Sequence, residues 1–129
     1  MAEYKLTVAG LGPGDAGLIT RETWARIEAA EHIFLRTRIH PTVAALDAAG
    51  ITYETYDDFY EDAEDFEELY EAITDDLMER VQANDVLYLV PGSPFVAERT
   101  VQLLRTRTME KGQPIEILPA MSFLDPLFA

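Results

Sequence analysis

Apolar and polar positions follow two rhythms along this chain: short, nearly continuous apolar runs, and longer stretches where apolar residues recur every three or four positions. The runs Lys5 to Leu11 (KLTVAGL) and Asp85 to Val90 (DVLYLV) have the length and the lack of alternation expected of strands covered on both faces. His32 to Leu35 (HIFL), Thr52 to Tyr56 (TYETY) and Pro114 to Leu118 (PIEIL) read as three further strands, TYETY on its content of β-forming residues. Helices fall between them. Thr20 is an N-cap ahead of a helix over Thr23 to Ala30, and Pro41 suits the first turn of a helix that runs to Ala49, where Gly50 can end it. Leu69, Tyr70, Ile73, Leu77 and Val81 lie at helical spacing, which predicts a long amphipathic helix over Asp65 to Ala83. Val96 to Arg107 reads as a last helix. Strands alternating with helices in this way predict an α/β fold of three layers, a parallel sheet of right-handed βαβ units with helices on both faces.

Composition narrows the class of partner. The chain has 129 residues, 48% of them hydrophobic and 26% charged, which fits one globular domain with one core. Asp+Glu 24 against Lys+Arg 10 gives a net charge of -14, which repels a polyphosphate backbone, so nucleic acid is not an expected partner. The absence of cysteine excludes a disulfide frame, a thiolate nucleophile and a thiolate metal site. MAEYKLTVAG has none of the regions of a signal peptide, and no apolar run approaches the about 20 residues that span a bilayer, so a cytoplasmic protein without a membrane partner is expected.

The chemistry is concentrated in loops. Gly10 to Thr20 (GLGPGDAGLIT) follows an apolar strand directly, and the carboxyl ends of parallel strands are where open α/β sheets take ligands. It is not a dinucleotide fingerprint: G-x-G-x-x-G needs glycine where Asp15 stands, and Pro13 removes an N–H from the cradle. Nor is it a Walker loop, since no Gly-Lys-Ser/Thr follows. The second long apolar strand ends in VPGSPFVAERT, Val90 to Thr100, and the last strand in LPAMSFLDPL, Leu118 to Leu127. If the first two strands are neighbours at a switch point, their loops form the two lips of one crevice.

In this order and spacing the three segments resemble the N-terminal lobe of the tetrapyrrole (corrin/porphyrin) methylase family of S-adenosylmethionine-dependent methyltransferases, over about Tyr4 to Asp125. VPGSPFVAERTVQLL and LRTRIHP are more particularly similar to the branch in which this methylase is fused to a MazG-type nucleotide pyrophosphohydrolase. The resemblance implies a five-stranded parallel sheet of order 3-2-4-1-5, with Gly10 to Asp15 and Pro91 to Phe95 at adjacent strand ends. It implies S-adenosylmethionine as cofactor and a small-molecule methyl acceptor. Pro13, with Gly12 and Gly14, then lies near the cofactor; Gly92, Ser93, Pro94, Phe95 and Val96 line it; Ser122 and Phe123 meet its nucleoside end. Two residues depart from the family pattern: Ser93 replaces an acidic residue, which argues against a tetrapyrrole as substrate, and Ala120 replaces a glycine. A methylase-like lobe that binds a ligand or partner without catalysis is the alternative those departures leave open.

Methyl transfer from a sulfonium asks the protein for orientation and a dry pocket, with neither nucleophile nor metal, and no catalytic group is identified. The family's methylase has two lobes, so the resemblance implies that this chain is the first of them, with the second lobe absent. The apolar residues Met121, Phe123, Leu124, Leu127 and Phe128 then suggest an interface, and a homodimer with little activity of its own. The remaining features have plain readings. Glu67 to Glu71 (EELYE) has the spacing of a MazG magnesium site but lacks the second acidic helix, and reads as a solvated face. His32 reads as a strand boundary, Asp15 as a cap, and Trp24 and the tyrosines as packing; His40, beside Arg36, Thr37 and Arg38, can face the mouth of the crevice.

Overall fold

Each of the five apolar runs forms a strand: β1 (Leu6–Gly10), β2 (Ile33–Leu35), β3 (Glu54–Thr55), β4 (Val86–Val90) and β5 (Ile115–Ile117). The computed structural model describes residues 3–96, 98–122 and 124. The strands pair in parallel in the order β3-β2-β4-β1-β5, the order the resemblance implies. Every residue of β1, β2 and β4 is buried. Alternation along the strands divides their side chains between two faces. Leu6, Val8, Phe34, Val86, Tyr88 and Val90 pack under α4 (Phe66–Arg80) and α5 (Arg99–Lys111). Ala9, Leu11, Ile33, Leu35, Leu87 and Leu89 pack with Ile27 of α1 (Arg21–Ala29) and with Val43 and Leu46 of α2 (Val43–Ala48).

Two helices carry side-chain caps, that of Thr20 as the sequence predicts. The Thr20 hydroxyl accepts the Thr23 N–H at 3.1 Å and the Asp65 carboxylate accepts the Glu68 N–H at 2.8 Å. Leu69, Ile73 and Leu77 of α4 are fully buried, each worth about 1.5–3 kcal/mol of burial.

Several boundaries differ from those the sequence predicts: the helix read from Pro41 begins at Val43, and the long helix read to Ala83 ends at Arg80. The strand over Thr52 to Tyr56 shrinks to Glu54–Thr55, because only Phe34 and Leu35 of β2 face it. Beyond it the chain turns into a short helix, α3 (Phe59–Asp62), where Phe59 and Tyr60 pack on the core. The last helix begins at Arg99 rather than Val96, because Ser93 closes a turn, accepting the Val96 N–H on its carbonyl at 3.2 Å, and Glu98 is extended. It continues past Arg107 to Lys111: the Thr108 hydroxyl satisfies itself on the Leu104 carbonyl, and Gly112, at φ +65°, ends the helix.

Candidate functional site

β1 and β4 are in register from Leu6 with Val86 to Gly10 with Val90, so the two chains leave the sheet side by side. Pairing then continues into the loops. Leu11 N–H donates to the Val90 carbonyl at 2.8 Å, and Gly12 and Gly92 exchange two hydrogen bonds, Gly12 N–H to Gly92 O at 3.1 Å and Gly92 N–H to Gly12 O at 2.9 Å. Both glycines have positive φ, +76° and +66°, a conformation that costs other residues about 1–2 kcal/mol. Gly10 is required for a different reason. A β-carbon there would stand 2.1 Å from the Gly92 carbonyl oxygen, 2.8 Å from Ala120 Cβ and 3.0 Å from Pro94 Cδ. β5 lies on the other side of β1, and Leu118 N–H bonds the Val8 carbonyl at 2.8 Å, which delivers Ala120 to the same point. All three loops therefore converge on Gly10.

Of the residues the sequence nominates, Gly12, Ser93, Pro94 and Ser122 are buried at this junction or beside it, while Pro13, Gly14, Gly92 and Val96 are half-exposed. The Phe95 ring is 55% exposed. The two serine hydroxyls are turned toward main chain: Ser93 Oγ accepts the Phe95 N–H at 3.2 Å and Ser122 Oγ accepts the Leu124 N–H at 3.1 Å. Phe123, Leu127 and Phe128 lie outside the described residues. Asp15 caps the turn Ala16–Leu18 through the Gly17 N–H at 2.8 Å.

A fourth segment, met in the sequence as LRTRIHP and through His40, joins the site from the end of β2. Arg36 N–H bonds the Leu89 carbonyl at 3.0 Å, and the chain then runs beside the first glycine loop. His40 Nδ1 accepts the Thr42 N–H at 3.2 Å, so the ring carries its proton on Nε2, which donates to the Gly12 carbonyl at 3.1 Å. Burial lowers the His40 pKa, with nearby Arg36 adding to that and the Gly12 carbonyl opposing it, so the ring is neutral near pH 7. Arg36 is largely buried against Glu98, with its Nε 3.2 Å from Glu98 Oε2 but off the hydrogen-bond direction, and its NH1 donates to Tyr60 Oη at 2.9 Å. Burial opposes the guanidinium charge, yet Glu98, Tyr60 and Tyr88 outweigh it and the Arg36 pKa is raised. The signal for this segment was present as RTRIH, two arginines and a histidine without an acid in an acidic chain.

The carboxylates of EELYE point elsewhere. Glu67 pairs with Arg99 at 2.9 Å, Glu71 pairs with Arg107, and Glu68 accepts the Glu64 N–H. Among the described residues no group of three or more histidine, aspartate or glutamate side chains is placed to hold a metal ion. His32 sits at the edge of β2 and lines a cavity of about 460 Å³ with Lys5, Arg26 and Asp85. That cavity and a larger one of about 640 Å³, beside Tyr4, Met78 and Gln113, open at the amino ends of the strands, away from the three loops. Among the described residues no helix is long and apolar enough to cross a membrane.

Loops that meet main chain to main chain at the carboxyl end of a parallel sheet stand where open α/β folds take ligands. Residues 5–129 match the family of tetrapyrrole (corrin/porphyrin) methylases, and the chain belongs to that family. It is 40% identical over 124 residues to the uncharacterized protein YabN of Bacillus subtilis (strain 168), covering 96% of this chain and 25% of YabN. The fold matches a uroporphyrin-III C-methyltransferase from Thermus thermophilus complexed with S-adenosyl homocysteine, at TM-score 0.66 and 21% identity over 93% of this chain and 46% of that one. It also matches a putative diphthine synthase from Entamoeba histolytica, at TM-score 0.69 and 19% identity over 96% of this chain and 44% of that one. The chain thus spans about half the length of these solved proteins and a quarter of the curated relative.

Proposed function

We propose that this chain is the N-terminal lobe of an S-adenosylmethionine-dependent methyltransferase. The observation that carries this reading is the reciprocal Gly12–Gly92 pair standing over Gly10, which supports reading two loops of a tetrapyrrole methylase family chain as the lips of one crevice. Its chemistry fits the cofactor. Around Gly92 none of the described residues lies within 4 Å of where a β-carbon would stand, which leaves room for a ligand to approach the main chain there, and the exposed Phe95 ring offers an apolar face. Gly12, Pro13 and Gly14 form the first lip, Gly92, Ser93, Pro94, Phe95 and Val96 the second, and Ser122 with Phe123 meets the nucleoside end. When bound, S-adenosylmethionine supplies a methyl group on sulfonium for in-line displacement. The residues named here bind it, orient it and exclude water. The acceptor is a small molecule, and Ser93 in place of an acidic residue favours one other than a tetrapyrrole.

The second lobe, and a MazG-type domain beyond it, belong to the longer protein in this reading; the 40% identity to YabN, of which this chain spans a quarter, supports that. The lobe alone then keeps half of the cofactor's contacts, self-associates through its apolar tail and is close to inactive. Calorimetric titration with S-adenosylmethionine tests this. Affinity at least about a hundredfold weaker than that of a protein carrying both lobes is expected. Micromolar affinity in a monomeric 129-residue chain would overturn the two-lobe part, and no binding by either form would overturn the cofactor. Binding by the two-lobed protein without turnover on any acceptor would favour a non-catalytic domain.

A further inference from the structure

The segment Arg36–Thr42 touches both glycine lips, and we infer that it is a brace, with Arg36 and His40 as positioning residues that set the separation of the two loops. What those loops hold rests on the reading above.

On the first lip, one carbonyl oxygen is the junction. Gly12 O accepts both the Gly92 N–H at 2.9 Å and the His40 Nε2–H at 3.1 Å, which occupies both lone pairs and ties three loops at one atom. His40 is aimed by the bond from Thr42 N–H to its Nδ1, and the Thr42 hydroxyl reaches the Leu11 carbonyl at 3.5 Å. The brace is itself pinned. Asp57 accepts the Thr37 hydroxyl at 2.6 Å and the Arg38 N–H at 2.9 Å, and Thr37 Oγ1 accepts the Ile39 N–H at 3.0 Å.

On the second lip, the Arg36 guanidinium stands between Tyr60 and Glu98. Glu98 is 6% exposed, ends the loop that begins at Pro91, and accepts the Thr100 hydroxyl at 2.6 Å; Thr100 in turn meets Tyr88 Oη at 2.9 Å. The near end of that loop is held by Gly92 and the far end by Glu98, and both attachments lead back to the same seven-residue segment. A buried ion pair contributes little net stability compared with apolar residues of the same volume. Its place under the loop therefore points to geometry rather than to stability.

The test uses His40→Ala, His40→Gln and the double variant Arg36→Met/Glu98→Leu. The double variant removes both charges together and so leaves no unpaired buried charge. Amide exchange at Gly12, Gly92, Phe95 and Val96 is compared with exchange at Ile73 and Leu77 in α4, and S-adenosylhomocysteine is titrated against each protein. In His40→Ala, exchange at Gly12 and Gly92 should rise about tenfold with the α4 amides unchanged, affinity should fall about tenfold, and His40→Gln, which keeps a donor, should restore part of both. The double variant should lower the denaturation midpoint by no more than the loss of the single Thr100 hydrogen bond allows, while Phe95 and Val96 exchange faster and affinity falls. Loop amides that stay protected, or that change only in step with α4, would overturn the brace whatever the ligand does. If the loops loosen as stated but the wild-type chain and its two-lobed form ignore S-adenosylhomocysteine, the brace stands and the cofactor reading falls.

Discussion

The two ends of the sheet are built from different materials. At the amino ends of the strands exposed charged side chains supply much of the contact: Arg26 and Lys5 hold Glu116 at 2.8 and 2.9 Å, and the Asp85 carboxylate accepts the Lys5 main-chain N–H. At the carboxyl ends the contacts are between peptide groups, with Gly12 bonded to Gly92, and buried side chains behind them serve as struts. Two hollows, of about 640 and 460 Å³, open at the amino end, and the convergent loops are at the other. Hollow volume reports how loosely the rim is filled. Convergence of main chain reports where glycines let backbone come close to backbone.

Substitutions can break or sharpen this contrast, and the largest effect is expected at Gly10. The Gly10→Ala β-carbon would meet a backbone oxygen 2.1 Å away that cannot move without parting the two lips, so a loss of about 3 kcal/mol or more is expected in urea denaturation. A loss below about 1 kcal/mol would mean the lips slide freely. Gly92→Ala tests the same end without the clash: φ is +66° and no described residue crowds the new β-carbon, so about 1–2 kcal/mol of backbone strain is expected, together with, on the proposed function, weaker binding of S-adenosylmethionine.

At the amino end effects should be smaller and pH-dependent. Hydrogen bonds from Arg26 and then Lys5 hold the Glu116 pKa down at about 2, from an ordinary 4.5. A carboxylate depressed in the folded state stabilises above its unfolded pKa, and that contribution is lost as pH falls from about 4.5 toward about 2. Glu116 is 35% exposed, so after solvent screening Glu116→Gln should cost no more than about 1 kcal/mol at pH 7. The difference from wild type should vanish by about pH 2, which denaturation at several pH values would check. The smallest effect is expected on α4. Glu67 and Glu71 are already paired with Arg99 and Arg107, so a magnesium titration should show no saturable binding and no difference between wild type and Glu68→Ala. Saturation abolished by that substitution would make the acidic face a metal site.

Much of this molecule is legible without coordinates, for a local reason. Strand burial, helix periodicity and the cap at Thr20 are encoded within a few residues of where they act, and they appear as read. The loops around Gly12 and Gly92 announced themselves by composition; strand order followed from the family resemblance and not from alternation, which is silent about which strands are neighbours. Boundaries set by distant partners were not legible. The strand at Glu54–Thr55 is as short as the part of β2 facing it, and the start of α5 waits for a turn closed by Ser93. The brace is the clearest case. RTRIH is a cluster of charge in the sequence, but whether His40 meets water or the Gly12 carbonyl, 28 residues away, depends on β2 lying beside β4 and β4 beside β1. The chain by itself determined which segments fold and which loops lack side chains. Only the packed sheet decided which of those loops share a hydrogen bond, because that choice is made between groups that become neighbours after the core has closed.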